Sequence, residues 1–163
     1  MQLKEESTDE RYMKLALQEA KQAFDEDEVP IGAVIVCNNQ VIARAHNMTE
    51  KLNDFTAHAE MIAFTSASNF LNSKYLNECT LYVTLEPCMM CAGASYWTQL
   101  GKIVFGARDE KRGFIEVGRQ EKEDNRQQTA EKGVLHPKTK VVSGILENEC
   151  GELIREYFRK KRK

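Results

Sequence analysis

Two cysteines three positions apart, Cys88 and Cys91, sit where an apolar strand-like run, Thr80-Leu-Tyr-Val-Thr-Leu85, gives way to a helix-like stretch. That junction constrains the fold more than any other feature. Side chains three apart lie on one helix face, so both thiols can reach one ion. Pro87 suits the first turn of a helix, where a missing N–H costs nothing. The positive end of the helix dipole then favours thiolate, the form that ligates metal. A Cys-x-x-Cys pair supplies only two ligands and is equally open to redox chemistry.

The chain has 163 residues, enough for one domain with a substantial core, and we expect a single domain over 1–163. No apolar run approaches the length of a membrane helix, and the N-terminus is too charged for a secretory signal. The expected location is therefore cytoplasmic, with no membrane partner. Five cysteines, an odd number, argue against a disulfide framework. The formal net charge is −2, yet the last five residues, Arg159 to Lys163, are all basic, so without them the body would carry about −7. A basic end on an acidic body suits a polyanion, and it equally suits a solvated helix terminus whose cations complement the dipole.

Periodicity predicts an amphipathic helix over 9–24, strands over 31–37 and 41–45 joined at Asn38-Asn39, and a helix from Ala57 to about Leu71 with Thr56 as its N-cap. Strand 80–85, helix 88–99 closed by Gly101, and strand 102–106 follow. The polar stretch 119–132 has no clear apolar face. A short strand over 140–143 leads to a last helix from about Glu147. There Cys150, Leu153, Ile154, Tyr157 and Phe158 form an i, i+3, i+4, i+7, i+8 stripe, so at least one of the two aromatics belongs to the core. Strands alternating with helices imply an α/β fold: three α-β-α layers around one mixed five-stranded sheet.

Three histidines are candidates for the third ligand: His46, His58 and His136. His58, in Thr56-Ala-His-Ala-Glu60, shares the helix-start setting of the cysteines and is the best of them. One His and two thiolates leave a tetrahedral position open, the pattern of a catalytic zinc site. Glu60 lies two residues on, pointing to another side of the helix, where it can exchange a proton with water at that position. His-x-Glu followed by Pro-Cys-x-x-Cys is the signature of the zinc nucleobase deaminases.

Beyond the signature, Val29-Pro-Ile-Gly-Ala-Val-Ile-Val36, Thr56-Ala-His-Ala-Glu60, Leu81 to Ala94, Val104-Phe-Gly-Ala-Arg-Asp109 and the ending Tyr157 to Arg162 resemble the bacterial tRNA-specific adenosine deaminases, within the cytidine deaminase-like superfamily. The resemblance covers nearly the whole chain in the family's order, with 119–132 looking inserted. It implies a cytidine deaminase-like fold, one Zn2+ per subunit on His58, Cys88 and Cys91, and Glu60 as proton shuttle. It further implies a homodimer that converts the wobble adenosine of a tRNA anticodon loop to inosine. Asn47 matches the residue that contacts the target nucleoside, and Asp109 one that lines the path of the neighbouring RNA. In that context phosphate contact by the basic end, through Arg159, and stacking by Phe158 are expected.

The match departs at Tyr96-Trp97, where the family commonly carries an Ile-His type pair, and at Phe55, where Pro is usual. An aromatic pair there resembles relatives acting on free guanine or cytosine. Two alternatives stand beside the tRNA enzyme: a deaminase of a free base or nucleoside, and a non-catalytic RNA-binding subunit that keeps zinc only for folding. Glu60 argues against the second, since it has no structural task at such a site.

Overall fold

The computed structural model describes residues 4–120 and 134–162. In chain order the elements are α1 (Thr8–Asp25), β1 (Gly32–Cys37), β2 (Gln40–His46), α2 (Ala59–Leu71), β3 (Cys79–Leu85), α3 (Met89–Thr98), β4 (Lys102–Ala107), α4 (Phe114–Gln120), β5 (Lys140–Val142) and α5 (Glu147–Lys161). The strands form one mixed sheet in the order β2-β1-β3-β4-β5. β1 is antiparallel to both β2 and β3, whereas β3, β4 and β5 run parallel.

The period-2 alternation of the strands separates two cores. Ala33, Ile35, Leu81, Val83, Ile103 and Phe105 face a cluster with Ala59, Ala63 and Phe64 of α2, Ala92 of α3 and Phe114 of α4. The intervening Val34, Val36, Tyr82 and Val104 face α1 and Cys150 of α5. The expected α-β-α layers and mixed five-stranded sheet are thus present. Gly32 lets α1 lie close on β1, because a Cβ there would run into the Ala16 carbonyl and the backbone N of Ala20.

Several expected boundaries need correction. Thr56 is not the cap of α2; His58 is. Pro87 lies outside the first turn of α3, one residue before its cap, Cys88. Gly101 does not close α3; Gln99 does, in the left-handed conformation at φ 55°. Between β4 and β5 a short solvated helix is one expectation from sequence; the helix present, α4, starts at Phe114 and buries that residue in the core. The polar stretch 119–132 begins in its last two positions, and 121–132 lie outside the described residues.

Register matters most for the site. Gly32 pairs with His46, Ala33 with Val83, and Leu85 with Ala107. Since β1 alone runs the other way among these four strands, β2, β3 and β4 all end at one edge of the sheet. The segments that follow them, beginning at Asn47, Glu86 and Arg108, therefore leave from the same edge. In open α/β sheets the carboxyl ends of the strands are where ligand crevices form.

Candidate metal centre and its surroundings

His58 and Cys88 occupy equivalent places, each the N-cap of its helix in extended backbone (φ −73°, ψ 151° and φ −72°, ψ 174°). Each cap carbonyl takes the first helical hydrogen bond, from Ile62 N at 3.1 Å and Ala92 N at 2.9 Å. The His58 side chain makes no capping bond and is left for another task. Capping propensity alone would have put Ser or Thr at such a position, which is why Thr56 looks like the cap from sequence.

His58, Cys88 and Cys91 form the one group of this kind among the described residues, with all ligand atoms within 4.8 Å of one another. His58 Nδ1 lies 3.7 Å from Cys88 Sγ and 3.5 Å from Cys91 Sγ. A tetrahedral zinc with its usual bond lengths separates nitrogen from sulfur by roughly 3.6 Å, so the three atoms fit that ion. The Cys91 thiol beside Cys88 lowers the latter's pKa to about 4, with His58 and the Cys91 amide acting the same way. The Cys91 thiol is pushed far up by the bond to Cys88 and by burial. His58 is raised, chiefly by its bond to Cys88.

Glu60, in the first turn of α2, is buried at 3 % exposure. Its Oε1 has no hydrogen-bond partner. Burial raises its pKa, opposed by a hydrogen bond within its own residue and one to Cys91. A carboxylate that is buried and incompletely bonded is costly to keep and marks a place for chemistry.

The other two histidines are accounted for elsewhere. His46 sits between Glu19 Oε2 at 3.3 Å and Glu26 Oε2 at 2.8 Å. His136 packs against Tyr96 with the rings tilted by 51° and centroids 5.8 Å apart. Asn47, directly after β2, is buried, and its Nδ2 is 3.5 Å from Thr49 Oγ1. The next residue ties this loop to the His58 segment, Met48 N donating to the Ala57 carbonyl at 3.0 Å. Asp109 follows β4, and its Oδ1 accepts from Lys111 N and Arg112 N at 3.1 and 3.0 Å. Phe158 and Arg159 lie on α5, whose core contact is the opposite face of the sheet from α2 and α3. The structure does not bring them into the metal group. Tyr157 is the aromatic that enters the core, and Phe158 is 43 % exposed.

Two buried carboxylates escaped the sequence reading. Glu28 accepts from Glu50 N at 3.1 Å, Lys51 N at 2.7 Å and Thr49 Oγ1 at 3.4 Å, holding the loop that carries Asn47. It was hidden in the acidic run 25–28, which reads as a helix end. Glu86 accepts from Asp109 N and Ile115 N. Its signal was a charge wedged between an apolar strand and Pro87. A cleft of about 830 Å3 shares no residue with the metal group; Glu26, Asp27, Glu28, Glu50, Lys51, Tyr157 and Lys161 line it, joining the end of α5 to the loop after β2. The functional assignment rests on the ligand geometry, which cleft size does not measure.

The MafB19-like deaminase family model matches residues 7–162. The tRNA-specific adenosine deaminase of Bacillus subtilis (strain 168) is 45 % identical over 155 residues, covering 95 % of this chain and 91 % of that protein. The chain belongs to the tRNA-specific adenosine deaminase family. A structure from work on A-to-I editing by tRNA:A34 deaminases superposes with a TM-score of 0.76 at 42 % identity, covering 88 % of this chain and 98 % of that one. The guanine deaminase of Nitrosomonas europaea superposes almost as well, with a TM-score of 0.75, but at 25 % identity over 94 % of this chain and 86 % of that one. The fold is therefore common to both activities, and sequence is what separates the tRNA deaminase family from its free-base neighbour. Tyr96, Trp97 and Phe55, the positions at which the sequence resemblance breaks, are all exposed, Trp97 and Phe55 by 78 % and 92 %.

Proposed function

We propose that the protein is a zinc-dependent hydrolase that deaminates the wobble adenosine of a tRNA anticodon to inosine, with release of ammonia. The observation that carries this reading is the unpartnered Glu60 Oε1 beside a three-ligand cluster, in a chain of this family. His58, Cys88 and Cys91 would hold the zinc, which would acidify a bound water so that hydroxide is available near neutral pH.

The residues of the chain do the rest. Glu60 takes a proton from the attacking water at its free oxygen and passes it to a ring nitrogen of adenine, which makes C6 electrophilic. After water adds at C6, the same carboxyl helps protonate the amine, and the C6–N bond breaks to give ammonia and inosine. A carboxyl whose pKa burial has raised is suited to both halves of that transfer. Asn47 and Asp109, at the ends of β2 and β4, are assigned to the nucleoside and to its neighbour in the strand. Phe158 and Arg159 are assigned to the RNA beyond. An unpaired anticodon loop offers its base at less cost than a duplex does.

We further read the chain as one domain, cytoplasmic and homodimeric. The family model's span supports the first. Free cysteines at all five positions suit a reducing compartment, and no helix among the described residues is long and apolar enough to cross a membrane. For the dimer, α3 offers Met89, Met90, Gly93, Tyr96 and Trp97 at helical spacing, none of them buried.

The test is incubation of zinc-loaded protein with unmodified bacterial tRNA-Arg and, separately, with guanine, cytosine and adenosine. Inosine at the wobble position of tRNA alone is expected. Turnover of a free base with untouched tRNA would transfer the assignment to that base, and no turnover at all would favour an RNA-binding subunit. Light scattering of the purified protein checks the dimer.

A further inference from the structure

Glu86 directly follows β3, just ahead of Cys88, and it is 2 % exposed. Its two oxygens reach different places in the segment that follows β4. Oε1 accepts from Asp109 N at 3.3 Å and lies 3.5 Å from Arg108 Nε, while Oε2 accepts from Ile115 N at 3.0 Å. Backbone bonds on either side continue the attachment: Glu86 N donates to the Ala107 carbonyl at 2.8 Å, and Phe114 N donates to the Pro87 carbonyl at 3.0 Å. Cys88 itself forms an isolated antiparallel bridge with Gly113.

The partner segment is shaped around that carboxylate. A Cβ on Gly113 would run into Glu86 Oε2 and come within 2.6 Å of the Asp109 carbonyl. Gly113 is therefore glycine because the carboxylate occupies the space a side chain would need. Asp109 in turn closes the loop on itself, with Gly113 N donating to its carbonyl at 2.9 Å and its Oδ1 capping two further amides.

We propose that Glu86 is a positioning residue that holds the Cys88 turn and the Asp109 turn in one fixed relation, so that metal binding and substrate binding depend on the same carboxylate. Substrate contact through the Asp109 turn rests on the function proposed above; the link to the Cys88 turn does not. Groups that orient a ligand from behind typically change metal affinity or activity by roughly 10–100-fold when lost.

Glu86→Gln is nearly isosteric but replaces one acceptor with a donor that must face a backbone N–H or Arg108. With folding verified by circular dichroism well below the unfolding midpoint, two quantities are read. Zinc retention against a competing chelator should weaken by roughly 10-fold, and KM for an anticodon stem-loop should rise by a similar factor. Gly113→Ala, which keeps the carboxylate but displaces it, should move both quantities in the same direction. Adding Gly113→Ala to Glu86→Gln should cost much less than the sum of the two. A lower melting temperature with either zinc retention or KM at the wild-type value would reduce Glu86 to a stabilising residue and overturn the proposal. Wild-type protein that retains zinc but leaves the stem-loop untouched would count against the proposed substrate alone, since the chelator readout still judges Glu86.

Discussion

At the start of α2, Glu60 is almost fully buried with an oxygen that no hydrogen bond reaches. At the end of α5, Arg159 is 63 % exposed and its guanidinium is held by Glu152 at 3.1 Å. Lys161 pairs with Asp27 at 2.6 Å, and Lys160 lies over the Phe24 ring at 4.6 Å. The first region keeps a group unsatisfied where satisfaction would be worth most. The second satisfies its charges where satisfaction is worth little, because exposed pairs are screened and readily exchanged. Residues at the metal end should therefore act as nearly all-or-none devices. Those at the basic end should act as a graded, salt-dependent surface whose cations can leave their intramolecular partners for phosphate.

The largest effect should come from Glu60→Gln. It should keep zinc at full occupancy and lose roughly 10²–10⁴-fold in kcat, the usual share of a general acid–base group. Single-turnover kinetics with metal analysis checks both halves. Activity within a few-fold of wild type would place the proton transfer elsewhere. Cys88→Ala comes next, with expected loss of zinc on desalting. Zinc retained in full would remove Cys88 from the ligand set and leave a helix-start thiol with a depressed pKa but no metal to hold.

A buried carboxylate whose two oxygens both accept hydrogen bonds, Glu28, supplies a second contrast. Glu28→Gln should leave zinc bound and cost about 1–3 kcal/mol in denaturant unfolding, since one of the donors it now receives would face an amide NH2. If Glu28→Gln were neutral and Glu60→Gln strongly destabilising, the distinction between anchoring and reacting carboxylates would be reversed.

These two kinds of carboxylate also mark what could be learned from sequence. Glu60 was legible because its chemistry comes with a spacing, two residues after a ligand and upstream of Pro-Cys-x-x-Cys. The strands were legible as short continuous apolar runs bounded by turn signals, as in 31–37 ahead of Asn38-Asn39, and that strand is buried along its whole length. Glu28 and Glu86 were not, because their partners are chiefly backbone amides 22–29 residues away, and an amide carries no side-chain signature. The cap of α2 was misplaced for a related reason: His58 is at the N-cap to present its ring to the cysteines, and local capping preference favours Thr56. Helix α4 has only seven residues, too short for a periodic stripe to stand out. Phe158 and Arg159 could be named from the basic ending, but not that α5 stands on the opposite face from the metal ligands.

At the basic end the expected changes are smaller and depend on salt. Deleting residues 159–163 should weaken binding to an anticodon stem-loop. It should also flatten the dependence of log affinity on log salt by up to about 0.7 for each phosphate that the tail neutralises. Zinc content and the turnover of bound substrate should not change. An unaltered salt slope would leave the tail as a solvated helix end, its cations serving only α5.

The finest comparison concerns a single ion pair. Glu152 has its pKa lowered from 4.5 first by the hydrogen bond from Arg159 and then by Arg155. Because the folded value lies below the unfolded one, the pair's contribution is present above about pH 4.5 and is lost as pH falls through the folded value. Arg159→Ala removes the leading cause, so a carboxyl NMR titration should find Glu152 closer to 4.5. The same upward movement should appear in the wild-type protein when a stem-loop is added, if Arg159 exchanges its carboxylate for a phosphate. A Glu152 that titrates identically with and without RNA would show that the arginine stays where the free protein holds it, and phosphate contact would then have to come from the lysines that follow.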